Sequence, residues 1–344
     1  MKRFIVCADG TWNEPAQAGS ESNVVKLARA VKSTDDNGVP QIVYYQKGVG
    51  SRGSLWDHLG GGAFGVGISA NIQDIYLFLV SNYEPGDELF LFGFSRGAYT
   101  ARSLAGLIRN SGLLKREYIT KYEDAYDLYR DRSSGAHPKS DKAKAFRQQY
   151  AFPEFDIKLI GVWDTVGALG VPGRPVWLRF WTKKLYEFHD TDLSSHVNFA
   201  YQALAIDEKR KPFQPSIWTK QSGSPAAQVL EQAWFPGVHC DVGGGYATAG
   251  LSNGALHWMC NRTGNAGLAL DSTLLPTAGD ANAALGDSMT WGYRLLGDGT
   301  RKLGARRPAS SESLHISASQ RGNYNPGNLQ AFRAQIPPPG VSTP

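Results

Sequence analysis

The stretch LFLFGFSRGAYTAR, from Leu89 to Arg102, constrains the fold more than any other part of the chain. It opens as an unbroken apolar run, the composition of a strand buried on both faces. From Tyr99 to Ile108 the apolar residues recur at helical spacing. Gly93, Ser95 and Gly97 stand at the handover. A strand that passes straight into a helix through Gly-x-Ser-x-Gly holds its serine on a strained turn, with the hydroxyl lifted clear of the sheet edge. The positions two before and two after the serine pass too close to neighbouring backbone to carry side chains. The backbone N–H of Arg96 then opens the helix, where it can stabilise an oxyanion. Ser95 therefore reads as a nucleophile on an elbow.

The rest of the chain supplies the layers that such an elbow needs. RFIVCA reads as a buried first strand, stopped by the turn formers Asp9 and Gly10. Asn23 is placed to cap a helix carrying Val24, Leu27, Ala28 and Val31 on one face. QIVYYQ is a second strand that enters a glycine-rich loop from Gly48 to Gly67, and a helix is expected from Ile68 to Tyr83. DIKLIGVW and QAWFPGV read as further strands, and residues 130–145 as a polar surface excursion. Strands alternating with helices predict an α/β fold, with a mostly parallel sheet covered by helices on both faces. One domain spanning 1–335 is expected, with an insertion at 165–230 and a disordered tail at 336–344.

A nucleophilic serine needs a base and an acid, which hydrolases built on such an elbow take up in the order serine, acid, histidine. GVWDTVG places Asp164 just past a strand end, where an open sheet presents its ligand edge. WFPGVHCDVGGGY places His239 in the loop after a later apolar stretch. Asp207 in ALAIDEKR is the rival acid, with an ion pair to Lys209 or Arg210 as its plainer role. His58, His137, His189, His196, His257 and His315 are assigned surface or core hydrogen-bonding roles. Cys240 adjoins His239, but sequence neighbours seldom face each other productively, so it is read as packing.

Five separated motifs together resemble one family: CADGTWN, GFSRGAYTAR, GVWDTVG, ALAIDEKRKPF and WFPGVHCDVGGGY, in this order. The chain looks like a member of a largely uncharacterised α/β-hydrolase family that includes the first class of type VI secretion lipase effectors, which are phospholipases. The resemblance runs from about Arg3 to Asn328. It implies a triad at Ser95, Asp164 and His239, in agreement with the residue-level reading. It also implies a carboxylic-ester substrate, phospholipid being the most specific guess. The chain lacks the long additional regions associated with the larger secreted effectors. CADGTWN ends the first strand, and the amide of Gly10 or Thr11 is a candidate second oxyanion donor. Asp9 and Asp241 are candidates either to brace these loops or to share a cation.

Other chemistries fit less well. Asp-x-Asp-Gly-Thr after a first strand marks haloacid-dehalogenase phosphatases, but Cys7 occupies the place of their attacking aspartate. GVGSRG, Gly48 to Gly53, matches a dinucleotide-binding pattern, yet no helix can run on through Gly60, and Asp74 lies within a helical pattern. GGGAFGVG has no Gly-Lys-Ser/Thr and reads as a mobile loop. The stretch from Val171 to Phe188 joins Trp177, Leu178, Phe180 and Trp181 to Arg174, Arg179, Lys183 and Lys184. It reads equally as an apolar lid with a basic rim touching lipid or a membrane surface, and as an aromatic helix packed on the core. A non-catalytic binding module on the same fold is the alternative class, but such a chain should have lost a triad member.

Composition sets the remaining limits. The net charge of +5 comes entirely from residues 301–344, where six basic residues meet one acid. A neutral body argues against a nucleic-acid partner. Three scattered cysteines, Cys7, Cys240 and Cys260, suit a reducing compartment and make neither a disulfide framework nor a zinc site. The run from Phe4 to Ala8 is too short for a signal peptide, so a cytoplasmic chain is expected, exported if at all by a type VI secretion system that reads no cleaved signal. No metal or organic cofactor is required. An effector role would add a secretion partner and an immunity partner.

Overall fold

The computed structural model describes residues 1–10, 19–48, 61–167, 192–294, 297–308 and 310–335. Among them, seven strands form one parallel sheet: β1 Arg3–Ala8, β2 Gln41–Gln46, β3 Glu88–Phe94, β4 Ile157–Trp163, β5 Val197–Ala205, β6 Val229–Phe235 and β7 Glu312–Leu314. The spatial order is β2-β1-β3-β4-β5-β6-β7, and every neighbouring pair is parallel. The elbow strand β3 therefore lies inside the sheet, between β1 and β4. This is an α/β-hydrolase-like arrangement.

Period-two alternation sorts the strand side chains onto two faces. Phe4, Val6, Leu89, Leu91, Ile160 and Val162 point to one core. That core is covered by α2 (Gly61–Asn82), α3 (Arg96–Ser111) and α4 (Tyr122–Arg130). Ile5, Cys7, Phe90, Phe92, Phe94, Leu159 and Trp163 point the other way. They meet α1 (Asn23–Ala30) and a helix spanning Gly250–Asn265. Each such aromatic or aliphatic side chain contributes ~1.5–3 kcal/mol on burial, enough in sum to hold strained turns at the strand ends.

Several expectations need correction. The helix at Asn23 is capped by Ser22, whose hydroxyl accepts the Val25 N–H at 3.2 Å. Asn23 is instead fully buried, and its amide donates to the carbonyls of Val242 and Ser252. Of the glycine-rich loop read from Gly48 to Gly67, residues 61–67 belong to α2, which begins at Gly61, and residues 49–60 lie outside the described residues. The stretch 165–230 contains β5, a central strand, so it cannot be an insertion over that whole range. The polar stretch 130–145 is mostly exposed, as read, and its end is the first turn of a helix, α5, Asp141–Tyr150, capped by Ser140. The lid stretch, the 336–344 tail and the dinucleotide-like pattern after Gly48 lie outside the described residues.

Candidate active site

The elbow is built as its glycines require. Ser95 follows the last residue of β3 at φ 58°, ψ −119°, and α3 starts at the next residue. A Cβ on Gly93 would lie 2.5 Å from the Gly97 carbonyl oxygen, and one on Gly97 would lie 2.1 Å from that of Ala8. No side chain fits either gap. The Ser95 N–H donates to the Trp163 carbonyl at 3.0 Å, which pins the turn to β4. As the first residue of α3, Arg96 carries an N–H that the helix itself does not use.

Phe94 pairs with Trp163 across β3 and β4, so Ser95 and Asp164 leave the sheet at the same level. Asp164 also has a left-handed backbone, φ 42°, and is wholly buried. Its Oδ2 lies 2.5 Å from His239 Nδ1. His239 arrives from two strands further along, as the first residue of α6 (His239–Gly243). Its ring lies over Phe94, the residue before the serine, with centroids 4.6 Å apart, and Phe213 meets it edge-on at 5.1 Å. Gly243 lies so close beneath Phe94 that a Cβ there would overlap the ring. The fold thus brings Ser95, Asp164 and His239 to one sheet edge.

Two residues absent from the sequence reading complete the surroundings. Arg301 is fully buried and forks onto Asp164, with Nη1 to Oδ1 at 2.6 Å and Nη2 to Oδ2 at 2.9 Å. Glu208, also fully buried, accepts the His239 backbone N–H at 3.2 Å, the Ser288 hydroxyl at 3.0 Å and two Arg210 N–H groups at 2.8 and 2.9 Å. Arg210 in turn stacks over Phe213 at 3.5 Å. Acidic and basic residues late in the chain were visible in sequence, but nothing in their spacing tied them to the elbow.

These neighbours set the electrostatics. Burial alone would raise the Asp164 pKa, but the Arg301 charge and the His239 bond more than offset it and leave the carboxyl well below its usual range. His239 is lowered, because burial disfavours the imidazolium more than Asp164 favours it. A neutral imidazole beside an ionised carboxylate is the state a general base needs. Burial pushes the Cys240 thiol up to about 11, which suits packing rather than nucleophilic chemistry.

The remaining candidates act as braces. Asp207 Oδ2 accepts the Gly237 N–H at 2.7 Å and the Tyr324 hydroxyl at 2.6 Å, clamping the loop before His239 without bonding its ring. Asp9 takes the Ser22 and Tyr45 hydroxyls, each at 2.6 Å, and the Gly10 N–H at 2.6 Å. The Gly10 amide, one expected oxyanion donor, is therefore committed to Asp9. The other, Thr11, lies outside the described residues, as do Trp177, Phe180 and Trp181. Asp241 holds the Val238 and Gly286 N–H groups at 2.9 Å each. Among the described residues no cluster of His, Cys, Asp or Glu could hold a metal ion.

Residues 2–262 match the family model described as the type VI secretion phospholipase effector Tle1-like catalytic domain. The chain belongs to this family. A relative from Saccharomyces cerevisiae, itself uncharacterised, is 30% identical over 238 residues, covering 63% of this chain and 33% of the yeast protein. The chain thus spans about a third of that relative. An uncharacterised Pseudomonas aeruginosa protein of known structure is 20% identical with a TM-score of 0.49, over 78% of this chain and 46% of its own. The Tle1 effector bound to the VgrG spike of the type VI secretion system is 19% identical with a TM-score of 0.38, over 72% and 51%.

Proposed function

We propose that the protein is a serine lipase that cleaves carboxylic esters of phospholipids through Ser95, His239 and Asp164. The contact that carries this reading is the 2.5 Å bond from His239 Nδ1 to buried Asp164, with the imidazole laid over the residue that precedes the elbow serine. Membership of a phospholipase effector family supports the choice of substrate class. In the first step the Ser95 hydroxyl oxygen attacks the ester carbonyl carbon while His239 Nε2 takes its proton. The carbonyl electrons move onto oxygen, where the Arg96 N–H stabilises them. Collapse expels the alcohol, which takes the proton from His239 and leaves an acyl group on Ser95. Water, deprotonated by His239, then attacks this acyl-enzyme; collapse releases the fatty acid, and the departing Ser95 oxygen takes the proton back from His239. Asp164 holds the Nδ1 tautomer and balances the imidazolium throughout.

For a chain of this family the reading extends to delivery. No helix among the described residues is long and apolar enough to cross a membrane. Export through a type VI secretion spike, and neutralisation by an immunity protein in the producing cell, belong to the same proposal. The test is chemical. A fluorophosphonate should add one adduct, on Ser95, and phosphatidylethanolamine vesicles should release fatty acid and lysolipid. Ser95→Ala should abolish labelling and lower turnover roughly 10³-fold or more. Labelling of folded Ser95→Ala at the wild-type rate would refute the assignment. Turnover of short soluble esters but not vesicles would make the protein an esterase instead.

A further inference from the structure

The Asp164 carboxylate has every acceptor direction filled. Oδ1 receives Arg301 Nη1 at 2.6 Å and the Ala205 N–H at 3.0 Å, while Oδ2 receives Arg301 Nη2 at 2.9 Å and faces His239 Nδ1 at 2.5 Å. Arg301 is itself tied down, donating to the Ala205 carbonyl at 2.8 Å and the Phe213 carbonyl at 2.5 Å. Neither partner is exposed at all. We infer that Arg301 is a positioning residue of this site: its guanidinium fork fixes the plane of Asp164 and neutralises part of its charge, and so sets both the aim and the basicity of His239. This rests on the hydrolase reading above. Arg301 lies beyond residues 2–262, so the clamp comes from a part of the chain that the family match does not reach.

The physical argument has two parts. A carboxylate held by one histidine can swing about its own axis, whereas a two-point fork with a third bond from backbone leaves it a single orientation. A carboxylate paired with a guanidinium also attracts the imidazolium less than an unpaired one does, because the pair is close to neutral. The other groups around His239 do not substitute for Arg301. Glu208 faces the backbone N–H and is matched by Arg210, Cys240 and Asp241 share its own helix, and Phe94 and Phe213 cover its ring. Removing Arg301 should loosen Asp164 and at the same time make His239 more basic.

The experiment measures kcat/KM against pH with a short soluble ester for wild type, Arg301→Gln, Arg301→Lys, Asp164→Asn and Asp164→Asn/Arg301→Gln. NMR titration of the His239 ring and thermal melting accompany it. Arg301→Gln should lower kcat about 10-fold with little change in KM, and shift the acid limb and the His239 titration up by about one pH unit. Arg301→Lys, which keeps the charge but not the fork, should leave the titration near wild type and recover only part of the rate. On the Asp164→Asn background the Gln change should alter the rate less than about 2-fold, since its route of action is already gone. Equal losses on both backgrounds, or an unmoved His239 titration in Arg301→Gln, would overturn the inference. If Arg301→Gln fails to fold, the Lys variant and the neutral double variant decide the same questions. A wild type that neither labels nor hydrolyses would sink the hydrolase reading, whereas the NMR titration still tests the clamp.

Discussion

Substituting Gly97 by alanine replaces one hydrogen by a methyl group where the chain has least room for it. The new Cβ would sit 2.1 Å from the Ala8 carbonyl oxygen and 2.5 Å from that of Asp9, both backbone atoms at the end of β1. Carbon and carbonyl oxygen rest no closer than about 3.3 Å, so α3 and the end of β1 must part by about 1 Å. Two consequences follow. Overpacking of this kind costs ~1–3 kcal/mol of stability. A shift of the helix start also moves Ser95 and the Arg96 N–H relative to His239, and a misplacement of that size costs about 10²-fold in rate. Gly254 supplies the control. It lies inside the Gly250–Asn265 helix, with nothing within 4 Å of its would-be Cβ. Gly254→Ala should leave labelling unchanged and raise stability by about 0.5–1 kcal/mol. The assay is the second-order rate of fluorophosphonate labelling, paired with thermal unfolding of both variants. Gly97→Ala protein that labels at the wild-type rate with an unchanged melting temperature would show that the close approach does not govern the elbow.

Activity should fall on the acid side, because only neutral imidazole accepts the serine proton. Burial lowers His239, so the midpoint of kcat/KM should lie below the usual value of about 6.5, and a midpoint above it would contradict the buried geometry. Asp164→Asn should cost about 10²- to 10⁴-fold in kcat and also destabilise the fold by ~3–5 kcal/mol, since Arg301 then faces an uncharged amide in a dry interior. Asp207→Asn should cost ~1–3 kcal/mol through the Gly237 and Tyr324 bonds, with a much smaller loss of rate. Measuring turnover and melting for both settles which is the acid: a reversed ranking of rates would remove Asp164 from the triad.

How much was legible in sequence depended on whether the physics left a local trace. β1, β2 and β4 read directly because their apolar residues are continuous and bounded by turn formers. β5, VNFAYQALA, did not, because Gln202 interrupts its apolar pattern. That side chain is fully buried yet satisfied, accepting from Thr165 and donating to the Ser216 carbonyl and to Gln232. A polar residue paid for by three distant partners looks like a loop residue to any window of sequence. The glycines at the start of α2 pointed in the opposite direction, since Gly61–Gly67 is rich in residues that disfavour helix and is helical all the same. At the candidate site, Ser95 was visible through its flanking glycines, while Arg301 sits 137 residues from Asp164 with no periodicity linking them. Glu208 shows the limit most narrowly. The sequence pointed to its neighbour Asp207, yet Glu208 faces Arg210 and the His239 amide while Asp207 faces Gly237 and Tyr324.

Two residues at positive φ explain why the candidate site lies where it does. Ser95 and Asp164 are both non-glycine residues at positive φ, one step past paired positions of adjacent strands. Each such conformation costs of order 1–3 kcal/mol and persists only where the surroundings over-determine it. Here the surroundings are the last rungs of the sheet: Ser95 N–H to the Trp163 carbonyl at 3.0 Å, and Asp164 N–H to the Ala203 carbonyl at 2.8 Å. Phe94 and Trp163, both buried, anchor the residues immediately before the turns. The chain is therefore held until its last hydrogen bond and then forced to turn sharply, which lifts one side chain off each strand end toward the same point. Strain at Ser95 needed small neighbours, so it marked the sequence with Gly93 and Gly97. Strain at Asp164 is stabilised through its own carboxylate, by Ala205, His239 and Arg301, and so left no mark beside it.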